Sequence, residues 1–295
     1  MILDKLQKAG LIHPPKWLVS NCHYLTMMGS TAYGVEGASS DIDIYGFCIP
    51  HKDMVFPHLR GEIPGFGTQI QRFDQWSQHH IQHPYKEVEY DFAIYGIVRY
   101  LALCMENNPN MIDSLFVPRR CILHSTEISE HVRANRRLFL HKGAMHKFRG
   151  YAFSQMSKIR NKVNSSNPKR AAAIEQFGYD TKFSYHVVRL ALEAEQILVE
   201  GDLDIERNSE ILKSVRHGEW TLEQVETWFT DKERALETVY ATSTLRHSPD
   251  EERIKQILME CLEMHFGNLD TVISRNPSID HLLADIRALA DRYGK

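Results

Sequence analysis

The 295-residue chain is poor in the features that mark secreted, membrane-spanning or disulfide-stapled proteins. Its five cysteines (Cys22, Cys48, Cys104, Cys121 and Cys261) are widely spaced, odd in number and include no CxxC pair. That pattern excludes a disulfide framework and a cysteine-rich zinc module, and implies free thiols in a reducing compartment. No apolar run approaches the ~20 residues needed to cross a bilayer. The opening Met1-Ile2-Leu3-Asp4-Lys5 lacks the basic-then-apolar order of a secretory signal. A cytoplasmic protein that does not enter membranes is the expectation. A large charge excess is missing too: the net charge of −3 gives the whole molecule no field that would draw it onto a polyanion. With 43% hydrophobic and 25% charged residues, the composition suits a globular protein of one large domain or two modest ones. There are no internal repeats and no low-complexity tracts.

Charge is scarce overall but uneven. From His141 to Arg170 the chain carries Lys142, Lys147, Arg149, Lys158, Arg160, Lys162, Lys169 and Arg170 and no acid at all. Such a segment predicts a local positive surface, for which phosphates are the obvious partner.

The most informative stretch is Gly29-Ser30-Thr31-Ala32-Tyr33-Gly34, followed by Ser39-Ser40-Asp41-Ile42-Asp43-Ile44-Tyr45-Gly46. Ile42, Ile44 and Phe47 predict a strand, on which Asp41 and Asp43 point the same way. Two carboxylates side by side repel, and each gains from a proton or a cation. Hard oxygen ligands suit Mg²⁺, which takes one or two carboxylates together with substrate phosphates. Gly29 and Ser30 offer unhindered backbone N–H groups and a hydroxyl as a cradle for a triphosphate. Downstream, Glu87-Val88-Glu89-Tyr90-Asp91-Phe92-Ala93-Ile94 alternates as a strand does, with Glu87, Glu89 and Asp91 on one face. A third carboxylate on an adjacent strand is what two-metal phosphoryl transfer uses beside the attacking oxygen.

These motifs resemble the nucleotidyltransferase superfamily typified by DNA polymerase beta. They are most similar to its predicted bacterial and phage branch, related to the RNA-repair-pathway polymerase-beta-like proteins. Gly-Ser-x-Ala-Tyr-Gly, then Ser-Asp-x-Asp, a glycine and a short apolar run match residues 29–50, and the resemblance extends over about residues 25–230. The family's third acid precedes a basic residue and an Asn-Pro-Asn turn. Counting back from Arg99 and Asn108-Pro109-Asn110 lands on Asp91, with Glu89 next along the same face. A second family element, Tyr-Asp-x-Lys with a following His and Arg, matches Tyr179, Asp180, Lys182, His186 and Arg189. On a helix Lys182, His186 and Arg189 are spaced i, i+4, i+7 and share a stripe. Arg189 could instead pair with Glu193, and His186 could be a core histidine.

The resemblance implies an α+β fold: a nucleotidyltransferase sheet flanked by helices over residues 1–121, then a helical domain over 122–295. It implies Asp41, Asp43 and Asp91 as catalytic residues and ligands of two Mg²⁺ ions, with Mn²⁺ as a substitute. It further implies Gly29, Ser30, Tyr33, Lys182, His186 and Arg189 as nucleotide-binding residues. The expected reaction moves a nucleoside monophosphate from a triphosphate to a hydroxyl, with pyrophosphate released. The basic segment favours RNA as acceptor; transfer to a protein hydroxyl and an inactive nucleotide- or RNA-binding module are the rivals.

Local signals fill in the rest. A short helix is expected within residues 1–20 and strands at Tyr24–Met28 and Asp41–Ile49. Between Pro57 and Pro84 the chain reads as polar and irregular, with His79, His80 and His83 in a loop. A helix follows over Ile97–Met105, then a shorter one capped by Asn110. From about residue 122 the pattern is helical throughout, with helices over Thr181–Glu200, Thr221–Tyr240, Asp250–Phe266 and around Ile279–Tyr293. Thr221 and Gln224 form a capping box.

Overall fold

The computed structural model describes residues 1–35, 41–69, 72–82, 88–161 and 168–267. A first short helix, α1 (Ile2–Lys8), precedes a mixed sheet built from β1 (Cys22–Met27), β2 (Ile42–Cys48), β3 (Gln75–Gln82), β4 (Glu89–Gly96) and β5 (Ile122–Ser125). The spatial order is β3-β4-β2-β1-β5. β2 and β4 run parallel, and the other neighbours are antiparallel. The inner strands are apolar on both faces, as a sheet covered on both sides requires. Leu25, Ile44, Phe92 and Ile94 pack with Leu3, Leu6, Ile12 and Leu18 of the N-terminal segment. Tyr24 and Phe47 face the other way, into the helical core. Alternation along β2 therefore puts Asp43 and Tyr45 on the helical side with Phe47. β1 crosses β2 so closely that a Cβ at Gly46 would overlap the carbonyl oxygen of Tyr24, and only glycine fits.

The helices are α2 (Lys52–Val55), α3 (Ile97–Met105), α4 (Pro109–Phe116), α5 (Glu127–Ala134), α6 (Gly143–Asn161), α7 (Pro168–Phe177), α8 (Thr181–Glu200), α9 (Ser209–Arg216), α10 (Leu222–Thr242) and α11 (Glu251–Phe266). The architecture is thus α+β, a five-stranded sheet flanked by helices with further helices toward the C-terminus. α8 lies at the centre of the helical part, packed mainly on α6, α10 and α9. One apolar core runs from Tyr24 and Phe47 through Ile97, Phe148 and Val188 to Ile257, across the boundary expected at residue 121. All five cysteines are buried, and none of them forms a disulfide. Among the described residues, no helix is long and apolar enough to cross a membrane.

Several local signals act as read. Thr221 and Gln224 form the capping box of α10, Gly201 ends α8 in the left-handed region, and Phe148, Ala152, Met156 and Ile159 are the buried stripe of α6. Others are corrected. The His79–His80 segment is strand β3, not loop: its polar sequence is that of an edge strand with wet faces, and pairing with β4 overrides its weak periodicity. Ile122–Ser125 is a strand because β1 offers it an open edge. Asn108, not Asn110, caps α4, its side chain accepting from the amides of Asn110 and Met111 with Pro109 in the first turn. The start of the third-acid strand at Glu87, His83, the Asn164–Asn167 break and the helix around Ile279–Tyr293 lie outside the described residues.

A buried charge network ties the helices to the sheet. Arg189 of α8, 4% exposed, donates from Nη1 to Asp113 of α4 and to both oxygens of Glu193 at 3.0 and 2.9 Å. The Tyr33 hydroxyl donates to the same Asp113 oxygen at 2.6 Å, and the guanidinium lies 4.4 Å from the Tyr33 ring centroid. Removing one partner of a buried pair leaves the others uncompensated and costs about 3–5 kcal/mol. Arg189→Ala is therefore expected to destabilise the fold by about that much in urea unfolding. A loss under about 1 kcal/mol, the range of an exposed pair, would contradict this role.

Candidate active site

The site forms where the parallel strands meet the turn after β1. Backbone pairing sets Asp43 of β2 directly beside Asp91 of β4, and paired residues of neighbouring strands share a face. Gly29 opens the turn Gly29–Thr31 with φ +71°, and a Cβ there would sit 2.6 Å from Asp43 Oδ2. Glycine is thus required twice, by the left-handed backbone and by the carboxylate pressed against it. Asp41 stands just before β2, exposed. Burial, followed by the charge of Asp91, raises the Asp43 carboxyl above its ordinary value; Asp41 adds to the rise, and Lys182 and His79 oppose it. Carboxylates held in this way favour a cation.

Lys182 answers from the start of α8. Asp180 caps that helix, its Oδ1 accepting from the amides of Lys182 and Phe183 at 2.9 and 3.3 Å, so these amides are already engaged. The Lys182 ammonium is half-buried, and its pKa is lowered by burial and by Arg216 and Arg170, while Asp43 and Asp41 pull it back up. Among the described residues neither Lys182 nor Arg216 has an ion-pair partner. Arg170 lies 4.5 Å from the Phe183 ring centroid, and Lys158 5.6 Å from it. Half-buried Lys182, with Arg216 and Arg170 beside it, thus lies near enough to Asp43 for each to shift the other's pKa.

The rest of the expected stripe does something else. Arg189 is buried against Asp113 and Glu193, on the alternative that the i, i+4 spacing left open, and Tyr33 is buried with its hydroxyl on Asp113. Neither presents a free polar group to a nucleotide. The charges that bind Arg189 are Asp113, distant in sequence, and Glu193, one turn along. His186 packs on Tyr185 with ring centroids 4.8 Å apart. Burial, with Arg189, Lys182, Arg216 and Arg170 around it, lowers its pKa well below the usual histidine value. It is therefore neutral at pH 7 and supplies no positive charge.

The acid-free segment is compensated in part. Lys147 pairs with Glu106, Arg149 with Glu233 and Glu237, and Arg160 with Glu226. Lys142 is buried over the Tyr240 ring. The acids come mainly from α10, packed alongside in space, so a local charge count misses them. Arg216, near the family-like stretch Gly218-Glu219-Trp220, has no role legible in the sequence; α9 brings it close enough to Lys182 to lower the pKa of that ammonium.

The third-acid strand meets β3 at an irregularity. Pairing shifts between Gln78 and Ile81, and His80 takes φ +58°. The His80 amide donates to Asp91 Oδ1 at 2.8 Å, its Nδ1 lies 2.6 Å from Glu89 Oε1, and Gln82 donates to Glu89 Oε2 at 2.7 Å. His79 Nδ1 is 3.5 Å from Asp91 Oδ1. Of the two candidates for third acid, Asp91 is the one in register with Asp43.

Comparison with known proteins places this geometry. A solved nucleotidyltransferase-like protein from Exiguobacterium sibiricum 255-15 resembles it with a TM-score of 0.28 and 7% identity over 81% of this chain and 73% of that one, a likeness too loose to argue from. No curated protein matches. The profile of the RNA repair pathway DNA polymerase beta family matches residues 16–260, most of the chain and every site residue above. The chain belongs to that family, and its carboxylate-bearing sheet is that of a polymerase-beta-like nucleotidyltransferase.

Proposed function

We propose that the protein transfers a nucleoside monophosphate from a nucleoside triphosphate to a hydroxyl, with Mg²⁺ bound by Asp41, Asp43 and Asp91. The observation that carries the reading is the pairing of Asp43 with Asp91 under Gly29, opposite Lys182. The donor set fits a hard divalent cation: carboxylate oxygens only, one of them on a buried group whose pKa burial and a neighbouring charge have raised. Bound there, the metal supplies Lewis acidity toward the phosphoryl oxygens and lowers the pKa of the attacking hydroxyl. The chain's own residues orient. Gly29 and Ser30 line the entry for the triphosphate, and Lys182 with Arg216 offsets the charge of its outer phosphates. Asp91 lies on the β3 side, where an acceptor hydroxyl would approach over the open edge of the sheet.

An RNA acceptor is supported by the RNA repair context of the family and no longer by the paired basic segment of α6. The free thiols support a reducing, cytoplasmic setting. The experiment that tests the reading incubates the protein with each labelled nucleoside triphosphate, Mg²⁺ and RNA, and follows label transfer and pyrophosphate release. Label on protein rather than RNA would move the acceptor to a protein hydroxyl; no release with any acceptor would overturn the reaction.

Asp43→Asn is expected to reduce transfer at least about a hundred-fold, since a metal ligand's contribution is several kcal/mol and each ~1.4 kcal/mol is a decade. The same variant is expected to melt at higher temperature than the native chain at pH 7 in a chelator. The sign follows from linkage: a carboxyl whose folded pKa is raised binds more protons folded than unfolded. It therefore costs stability as pH rises from the unfolded value through the folded one. The gain should shrink below about pH 4, where the unfolded carboxyl is protonated as well. A variant that keeps more than a few per cent of turnover, or melts lower, contradicts the assignment.

Lys182→Ala is expected to weaken triphosphate binding about ten- to a hundred-fold, the equivalent of a charge-assisted hydrogen bond of about 1.5–3 kcal/mol. Monophosphate binding, measured by the same titration calorimetry, should change far less. Equal losses for both ligands would place Lys182 away from the outer phosphates.

A further inference from the structure

Beside the carboxylate pair stands a group that this reading leaves unused. One ring nitrogen of His80 and one carboxylate oxygen each of Glu89 and Asp91 all lie within 4.8 Å of one another. Glu89 and Asp91 share a face of β4 because they are two apart on a strand. His80 reaches them only because β3 breaks register between Gln78 and Ile81. Its φ of +58° is uncommon for a side-chain-bearing residue; among the described residues only Asn107 shares it. Such a conformation costs on the order of 1 kcal/mol and persists where the surroundings impose it.

Each carboxylate is also held from behind. The His80 amide fixes Asp91 Oδ1, and the Gln82 side chain fixes Glu89 Oε2. Orienting donors of this kind behind the ligating groups are what metal centres use to fix geometry and affinity. The imidazole is largely solvent-exposed, with 81% of its side-chain surface free, while the carboxylates are about a quarter exposed. A metal there would keep coordination positions for water or a substrate oxygen.

The donor set differs from that of Asp41 and Asp43. An imidazole nitrogen with two carboxylates suits a borderline transition metal such as Mn²⁺ or Zn²⁺, whereas oxygen-only sites suit Mg²⁺. We infer that His80, Glu89 and Asp91 form a second, nitrogen-containing site for a divalent transition metal at the edge of the sheet. This site shares Asp91 with the proposed Mg²⁺ site and rests on that reading only through this residue. Its consequence is selectivity: the ion on the acceptor side would be a transition metal, and the ion under Gly29 would remain Mg²⁺.

The test loads the full chain with Mn²⁺ in excess Mg²⁺, without nucleotide, and records electron spin echo modulation for nitrogen coupled to the manganese. The native protein is expected to show coupling to one imidazole nitrogen. His80→Asn tolerates the left-handed backbone and is expected to abolish the coupling. It should also weaken Mn²⁺ binding at least about tenfold, since even residues behind the ligands are worth that much. Its Mg²⁺ affinity, read by titration calorimetry, is expected to stay within about twofold, and its melting temperature in chelator should be close to native. His79→Asn and Asp43→Asn are expected to keep the coupling. Manganese that binds the native protein with no nitrogen coupling overturns the second site while leaving nucleotidyl transfer standing. Coupling that survives His80→Asn, or disappears in His79→Asn or Asp43→Asn, overturns the ligand assignment.

Discussion

A guanidinium sealed from water must be neutralised where it stands, and that requirement arranges much of this molecule. Arg189 meets Asp113 from α4 and Glu193 from its own helix, with Tyr33 from the turn after β1 closing the group. An unpaired charge at this depth would cost far more than the fold's whole margin, so the three elements can only pack together. The result reaches the cleft although no member of the network does. Tyr33 follows Gly29-Ser30 directly and Lys182 lies two turns before Arg189, so fixing Tyr33 against Arg189 holds the turn and the head of α8 at a set separation. Two carboxylates share one guanidinium, and burial raises both Asp113 and Glu193 above the ordinary acid range. With two carboxyl partners and a phenol around it, the guanidinium is engaged in the core, which leaves phosphate binding to cations elsewhere.

The cleft itself inverts that logic. Asp43 and Asp91 are adjacent and partly buried, and among the described residues their one ion-pair contact is His79 on Asp91, while Lys182 and Arg216 are half-buried and have no ion-pair partner there. Burial disfavours the charged forms of Asp43, Lys182 and Arg216, raising the first and lowering the other two. Direct pairing between the two sides would relieve both at once. The fold instead keeps them apart, with Gly29 against one side and Arg170 and His186 around the other. Under the proposed function, a metal-bound polyphosphate would bring positive charge to the acids and negative charge to the bases.

How far this was legible in the sequence depends on distance along the chain. Gly29 and the Asp41–Asp43 pair are local: a turn, a strand and a two-residue period are enough to put them together. Asp91 needed the family's spacing to be chosen over Glu89, and the parallel register of β2 and β4 then set it beside Asp43. The stripe Lys182–His186–Arg189 was a correct helix and an incorrect surface. A periodic pattern says which residues share a face, not what the face meets, and α8 turns Lys182 to the cleft but Arg189 to Asp113, 76 residues away. The basic segment loses part of its free charge for the same reason, since Glu233 and Glu237 pair with Arg149 and Glu226 with Arg160 from α10. β3 was hidden because an edge strand with polar faces has no hydrophobic period to read.

That edge strand also explains why chemistry concentrates on one side of the sheet. An edge exposes unpaired backbone groups and must be protected, and bulges and charged side chains are the usual means. Here the irregularity at His79–His80 interrupts the flat edge and turns two imidazoles toward the acids of β4. The feature that keeps another strand from adding to the sheet is therefore the one that brings nitrogen to the carboxylates. The break in pairing between Gln78 and Ile81 lies across from Asp91, whose neighbour on the other side is Asp43 of β2. Under the proposed reaction and second metal site, edge protection, metal selection and acceptor entry would fall on the same few residues of β3.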